Sequence, residues 1–159
     1  MTREPLADPC DLVGTWTLSR TIEDRRGGPG GRVEGHLELV LESPDRVAWR
    51  EHGTWHRPDG DVEVQRTLGV VRRDGGWWVV FADGRDFHPW APGEEVVHDC
   101  RPDTYRGVVT GTSVAWSVTW EVTGPAKDYR METRLRPLSG AACPPGATRP
   151  AGSPRPAGS

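Results

Sequence analysis

Phenylalanine is scarce in this 159-residue chain, with two residues against eight tryptophans, and Lys127 is the only lysine. No apolar run approaches the roughly 20 residues that a membrane helix requires, so no membrane partner is expected. The opening residues, MTREPLADPC, contain no apolar core of a secretory signal, and a cytoplasmic location is expected. Cysteine is rare: Cys10, Cys100 and Cys143 lie far apart, an odd number without framework spacing, which points to reduced thiols. The net charge is −3 with both signs interspersed, so there is no basic face for a nucleic acid. A phosphate-cradling G-x-x-x-x-G-K-[ST], a dinucleotide glycine fingerprint, a G-x-S-x-G elbow and H-E-x-x-H are all missing. Their absence counts strongly against nucleotide-dependent transfer and serine-hydrolase chemistry. Helical periodicity is nearly absent as well.

Short runs of alternating polarity, separated by turn residues, fill most of the chain. The plainest is 113–122, where Val114, Trp116, Val118, Trp120 and Val122 alternate with small or polar residues. A period of two places those five side chains on one strand face. Similar runs are expected at about 12–22, 33–41, 46–56, 62–70, 77–83, 95–101, 103–110 and 127–136. Gly84 to Gly93 reads as less regular. Residues 138–159 are mostly Pro, Gly, Ala and Ser and cannot bury enough apolar surface to offset their ordering entropy. They are expected to be a disordered tail on one domain, residues 11–137, large enough for a single core.

Eight to ten antiparallel strands joined by short turns, with no helical crossover, predict an all-β up-and-down barrel. Two stacked sheets are the alternative, because alternation alone does not distinguish them. A barrel of this size can hold one small ligand. Gly14-Thr-Trp16 resembles the G-x-W signature on the first strand of lipocalins. That resemblance implies an arginine from the last strand, Arg134 or Arg136, stacked on the tryptophan to close one barrel end.

Strand parity selects the candidate site. Glu51 lies between Trp49 and Trp55, and Arg66 between Val64 and Leu68, on strands that the Arg57–Gly60 turn makes neighbours. A charge among apolar neighbours costs free energy unless something pairs with it, so Glu51 and Arg66 are expected to meet across the hairpin. His98 and Cys100 share one face of their strand, as Asp103 and Tyr105 do on the next, so a short hairpin brings them together, either as a proton-transfer set or as mutually satisfied polar groups of the core. Asp83, Arg85, Phe87 and His88 fall within six residues around Gly84, either as a rim loop aiming His88 inward or as a hairpin tied by its own ion pair. Lys127 lies beside Tyr129 and Met131. Burial there would lower its pKa and make it a base or Schiff-base former, whereas a strand start would leave it in water.

Three motifs, D-G-R-x-F-H at Asp83–His88, H-x-C-x-x-D-x-Y-x-G at His98–Gly107 and W-x-V-x-G-P-x-K-D-Y at Trp120–Tyr129, occur in this order. In these the chain resembles an uncharacterised bacterial and fungal family of lipocalin-like proteins of unknown function. The resemblance spans Leu12 to about Arg136 and implies a calycin-type barrel without implying catalysis.

The expected function is binding of a small, largely apolar or aromatic organic molecule inside the barrel, as a monomer or homodimer. Whether it is also transformed stays open. Cofactor-independent cyclisation, isomerisation, dehydration or hydrolysis would use Arg66 or Arg85 to polarise oxygen and His88 or His98 to move a proton, with Tyr105 and Glu51 orienting the substrate. Trp49, Trp55, Trp116 and Trp120 would line a cavity of at least ~300 Å³, wide enough for a polycyclic ligand. A passive carrier or sensor is the alternative, and a metal- or haem-binding barrel a third. No cofactor or metal is expected, since the spacing of His88, His98 and Cys100 matches no standard zinc pattern.

Overall fold

The computed structural model describes residue 6 and residues 8–138, and within them the chain is one ten-stranded antiparallel sheet closed almost completely into a barrel. The strands are β1 (Gly14–Asp24), β2 (Gly31–Ser43), β3 (Arg46–Arg57), β4 (Gly60–Arg73), β5 (Gly76–Phe81), β6 (Asp86–Pro89), β7 (Glu95–Cys100), β8 (Asp103–Thr112), β9 (Ala115–Thr123) and β10 (Asp128–Pro137). Each strand pairs with its sequence neighbour, and β1 pairs with β10, as an up-and-down barrel requires. The exception is β6 and β7, the two edges, which meet without a hydrogen-bonded ladder. A single continuous sheet excludes the stacked alternative.

The alternating pattern decides what faces in. On β9, Trp116, Val118, Trp120 and Val122 are buried, while the intervening Ser117, Thr119 and Glu121 are partly exposed. Inner faces of all ten strands converge on one apolar core that includes Trp16, Leu37, Trp49, Val70, Trp116 and Leu135. Three glycines allow close approach within the barrel wall. Gly35 and Gly53 are register partners on β2 and β3, and a Cβ on Gly35 would collide with the His52 carbonyl. Gly107 lies opposite Trp120, whose indole occupies the space that a side chain at 107 would need.

One barrel end is closed by the chain before β1. The 3₁₀ turn Pro9–Leu12 is capped by Asp8, whose carboxylate accepts from the Cys10 amide, and Leu12 is fully buried. Trp16 donates its indole N–H to the Leu12 carbonyl at 2.8 Å and meets Trp116 edge-on at 5.7 Å. This differs from the closure that the G-x-W resemblance implied. Arg134 and Arg136 have the outward parity of β10 and are exposed; Arg134 faces Glu132, and Arg136 donates to the Leu135 carbonyl. The inner positions beside Trp16 belong to Leu135 and Trp116, so an indole–indole contact replaces the cation–π contact.

Cys10 and Cys100 are free thiols, whereas Cys143 lies outside the described residues. The expected tail also falls there, apart from Leu138. Deleting residues 140–159 is expected to leave the thermal midpoint unchanged within error; a clear fall would mean that this segment packs on the barrel.

Candidate functional site

An ion layer crosses the middle of the barrel. Glu51, on β3, is 6% exposed. One of its oxygens accepts from Arg20 on β1 at 2.9 Å. The other accepts from Arg66 on β4 at 3.0 Å and from the Trp49 indole at 2.9 Å. Arg20 also donates from Nε to the Thr133 hydroxyl on β10 at 2.7 Å. Burial pushes the Glu51 carboxyl up, but the Arg66 and Arg20 guanidiniums outweigh it and hold the group at about 2. Burial lowers the Arg20 pKa, against the pull of Glu51. The hairpin register that sets Glu51 opposite Arg66 is the expected one. Arg20 is the partner that sequence reasoning missed, although the parity running through Trp16 and Leu18 extends to it.

The layer borders two spaces. On one side lie Trp49, Leu68, Phe87, His88, Trp90 and Trp120, with Arg20, Glu51 and Arg66 as the polar wall. On the other, Leu18, Val33, Gly53 and Val64 share the same three ions and open more freely to solvent. The volume that a water molecule's centre can reach is about 20 Å³ in the first space and about 50 Å³ in the second. Each has room for one or a few waters, far short of the expected cavity for a polycyclic ligand. The tryptophans account for the shortfall. Trp116 is 1% exposed and packs edge-on against Trp16 and Trp49, filling the closed end rather than lining the space. Trp55 stands at the far end, its indole bonded to the Gly30 carbonyl at 2.8 Å. Trp49 and Trp120 do line the interior.

His88 reaches the interior through an irregularity. The β5–β6 register shifts between Val79 and Val80, leaving Phe87 unpaired. With one residue out of step, Phe87 and His88 both bury, where strict alternation would bury one. Phe87 stacks between Phe81, at 4.7 Å, and Trp120, at 5.1 Å. These rings close the seam where β6 and β7 have no ladder. His88 Nδ1 lies 2.8 Å from the Pro89 carbonyl. A carbonyl only accepts, so Nδ1 carries the proton and Nε2 is left as an acceptor. Burial is the chief reason the imidazole is depressed to about 4; Arg66 and His98 add to it, against the Pro89 bond. Near neutral pH, His88 is therefore uncharged.

The remaining candidates sit nearer the rim. His98 and Tyr105 are register partners on inner faces, with rings 6.0 Å apart, and Cys100 faces Asp103. Neither His98 nor Tyr105 lines the two spaces beside Glu51. His98 packs edge-on against Phe87 at 5.1 Å. The four residues expected in one cavity thus share the inner face but divide into a central pair and a rim pair. Lys127 bonds Asp103 at 2.9 Å and the Tyr105 hydroxyl at 3.2 Å, which raises its pKa. That corrects the reading of Lys127 as a lowered-pKa base. Burial and a hydrogen bond to Tyr105 push Tyr129 up to about 12. Asp83 and Arg85 form an exposed ion pair at 2.8 Å within the β5–β6 turn, with Arg85 over the Phe81 ring. Among the described residues, no group of three or more His, Cys, Asp or Glu is placed to hold a metal ion. None of their helices is long and apolar enough to cross a membrane.

No characterised protein is detectably similar to the chain in sequence. Among solved structures it is similar to a de novo designed fluorescence-activating β-barrel at 14% identity, covering 84% of this chain and all of that one, with a TM-score of 0.46. The redesigned barrel mFAP0, solved bound to DFHBI, matches at 17% identity over 79% of this chain and 98% of that one, also at 0.46. Residues 12–137 match a family described as "Family of unknown function (DUF6314)", and the chain belongs to that family.

Proposed function

We propose that this family member binds a small, largely apolar or aromatic organic molecule inside the barrel, in the cytoplasm, as a monomer or homodimer. One polar group of the ligand would rest on the Arg20–Glu51–Arg66 layer, with its body against Trp49, Phe87 and Trp120. The observation that carries this reading is the ion layer itself. A barrel core needs no buried carboxylate, and apolar residues of similar volume are usually as stable or more so. Yet the layer borders interior space on both sides, and the Nε of Arg66 is buried with no acceptor. An unpaired buried donor costs about 1–3 kcal/mol, which a ligand oxygen would recover.

The space beside the layer is small, so a ligand of aromatic size must displace side chains. The lightest anchorage is that of β6, held by three register pairs on one side and ring contacts on the other. Titrating small aromatic acids, amides and phenols against tryptophan fluorescence tests the reading. Saturable quenching is expected in the parent and its loss, or at least tenfold weakening, in Arg66→Met. A flat response across the panel would leave the ion layer a structural feature.

A second reading, catalysis without a cofactor, has one observation in its favour. His88 offers a fixed neutral Nε2 on the same space as Arg66. A base there could take a proton while the guanidinium steadies the resulting oxyanion. His88→Gln is then expected to abolish turnover while retaining affinity; in a passive carrier it would change affinity alone.

A further inference from the structure

Two guanidiniums share one carboxylate in the ion layer: Arg20 and Arg66 each bond Glu51. His52 and His88 are the other ionisable groups lining the two spaces. His88 adds no charge near pH 7, because its burial, helped by Arg66 and His98, keeps it neutral against the pull of the Pro89 carbonyl. His52 lies on the outer parity of β3, exposed, against His36. The inner-face carboxylate of Asp103, nearer the rim, is already matched by Lys127. The layer therefore carries one more positive charge than negative; the Arg20 side chain is 13% exposed and that of Arg66 36%, so solvent offsets the excess only in part. Glu51 uses both oxygens, leaving the buried Arg66 Nε without an acceptor. A neutral ligand would satisfy the hydrogen bond and leave the charge; an anion satisfies both. A planar oxyanion also matches the guanidinium fork.

We infer that the site selects a small organic monoanion, a carboxylate or enolate-type oxygen on a flat apolar body, over its neutral isostere. This rests on the reading that the barrel binds a ligand. Benzoate and benzamide have nearly the same shape and differ in charge, so the pair isolates the term. Calorimetric or fluorescence titration of the full chain is expected to show benzoate binding at least tenfold more tightly than benzamide. Arg66→Gln should bring the two within about twofold, and Arg134→Gln on the outer wall should leave the ratio unchanged.

A readout that needs no variant guards against misfolding of Arg66→Gln. The Trp49 indole N–H donates to Glu51, so its nitrogen–proton resonance should shift on benzoate addition with the same affinity. Equal binding of both probes would overturn the anion inference and leave the ligand-binding reading standing. Binding of neither would overturn both. An unmoved Trp49 resonance under saturating benzoate would place the anion elsewhere and overturn the inference.

Discussion

Glu51→Gln is expected to unfold some 10–20 °C below the parent, a loss of about 3–5 kcal/mol. The carboxylate is 6% exposed and is shared by two arginines and an indole N–H. Removing its charge leaves Arg20 and Arg66 facing each other across the barrel without a counter-ion. An exposed pair gives the contrast. Glu95 and Arg106 lie 3.4 Å apart with both side chains more than half exposed, and Glu95→Gln should cost at most about 1 kcal/mol. A triple variant, Arg20→Leu with Glu51→Leu and Arg66→Met, separates stability from function. It removes all three charges together and is expected to match or exceed the parent in thermal midpoint while losing ligand binding. Thermal unfolding of the four proteins checks this, and a Glu51→Gln midpoint within 2–3 °C of the parent would show that the layer is solvated.

The second large effect is a loss of stability in acid well above the carboxylate range. The His88 imidazole titrates at about 4 when folded, against an ordinary value of 6.5. Between those values the unfolded chain holds a proton that the folded chain does not. Stability is then complete above about pH 6.5 and falls as the pH drops toward 4, by on the order of 3 kcal/mol. Glu51, titrating at about 2 against an ordinary 4.5, adds a second loss at lower pH in the same direction. Denaturant midpoints measured from pH 7.5 to 4 are expected to show the upper slope in the parent and its absence in His88→Phe. An unchanged slope in that variant would mean that His88 is solvated or charged in the folded state.

The barrel and the central Glu51–Arg66 pair were legible because the pairing register runs without a shift from β3 to β4 and from β8 to β9, so parity carries from one strand to the next. A tight turn at Arg57–Gly60 fixed the hairpin register, so parity alone predicted the pairing. Legibility failed where the period breaks. The strand β6 is four residues long, ends in proline and contains the bulge that turns both Phe87 and His88 inward, so the sequence reads as irregular there. Trp116 illustrates a different limit. Period two gives the face of the sheet but not the height along the barrel, and whether an inward indole lines a cavity or fills an end depends on height. The same ambiguity merged the Glu51 layer with the His98–Tyr105 pair, which lies nearer the mouth. Lys127 lies just before β10 with its side chain 42% exposed, closer to the strand-start reading than to the buried base; what one strand's sequence does not show is its partners, Asp103 and Tyr105 of β8.

The most direct test of ligand binding at the ion layer is a crystal structure of the protein saturated with benzoate. The expected result is density for the ring between Trp49, Phe87 and Trp120, with the carboxylate within hydrogen-bond distance of Arg66 and β6 shifted outward. An interior as tightly filled as before, with benzoate only on the outer wall or absent, would contradict it.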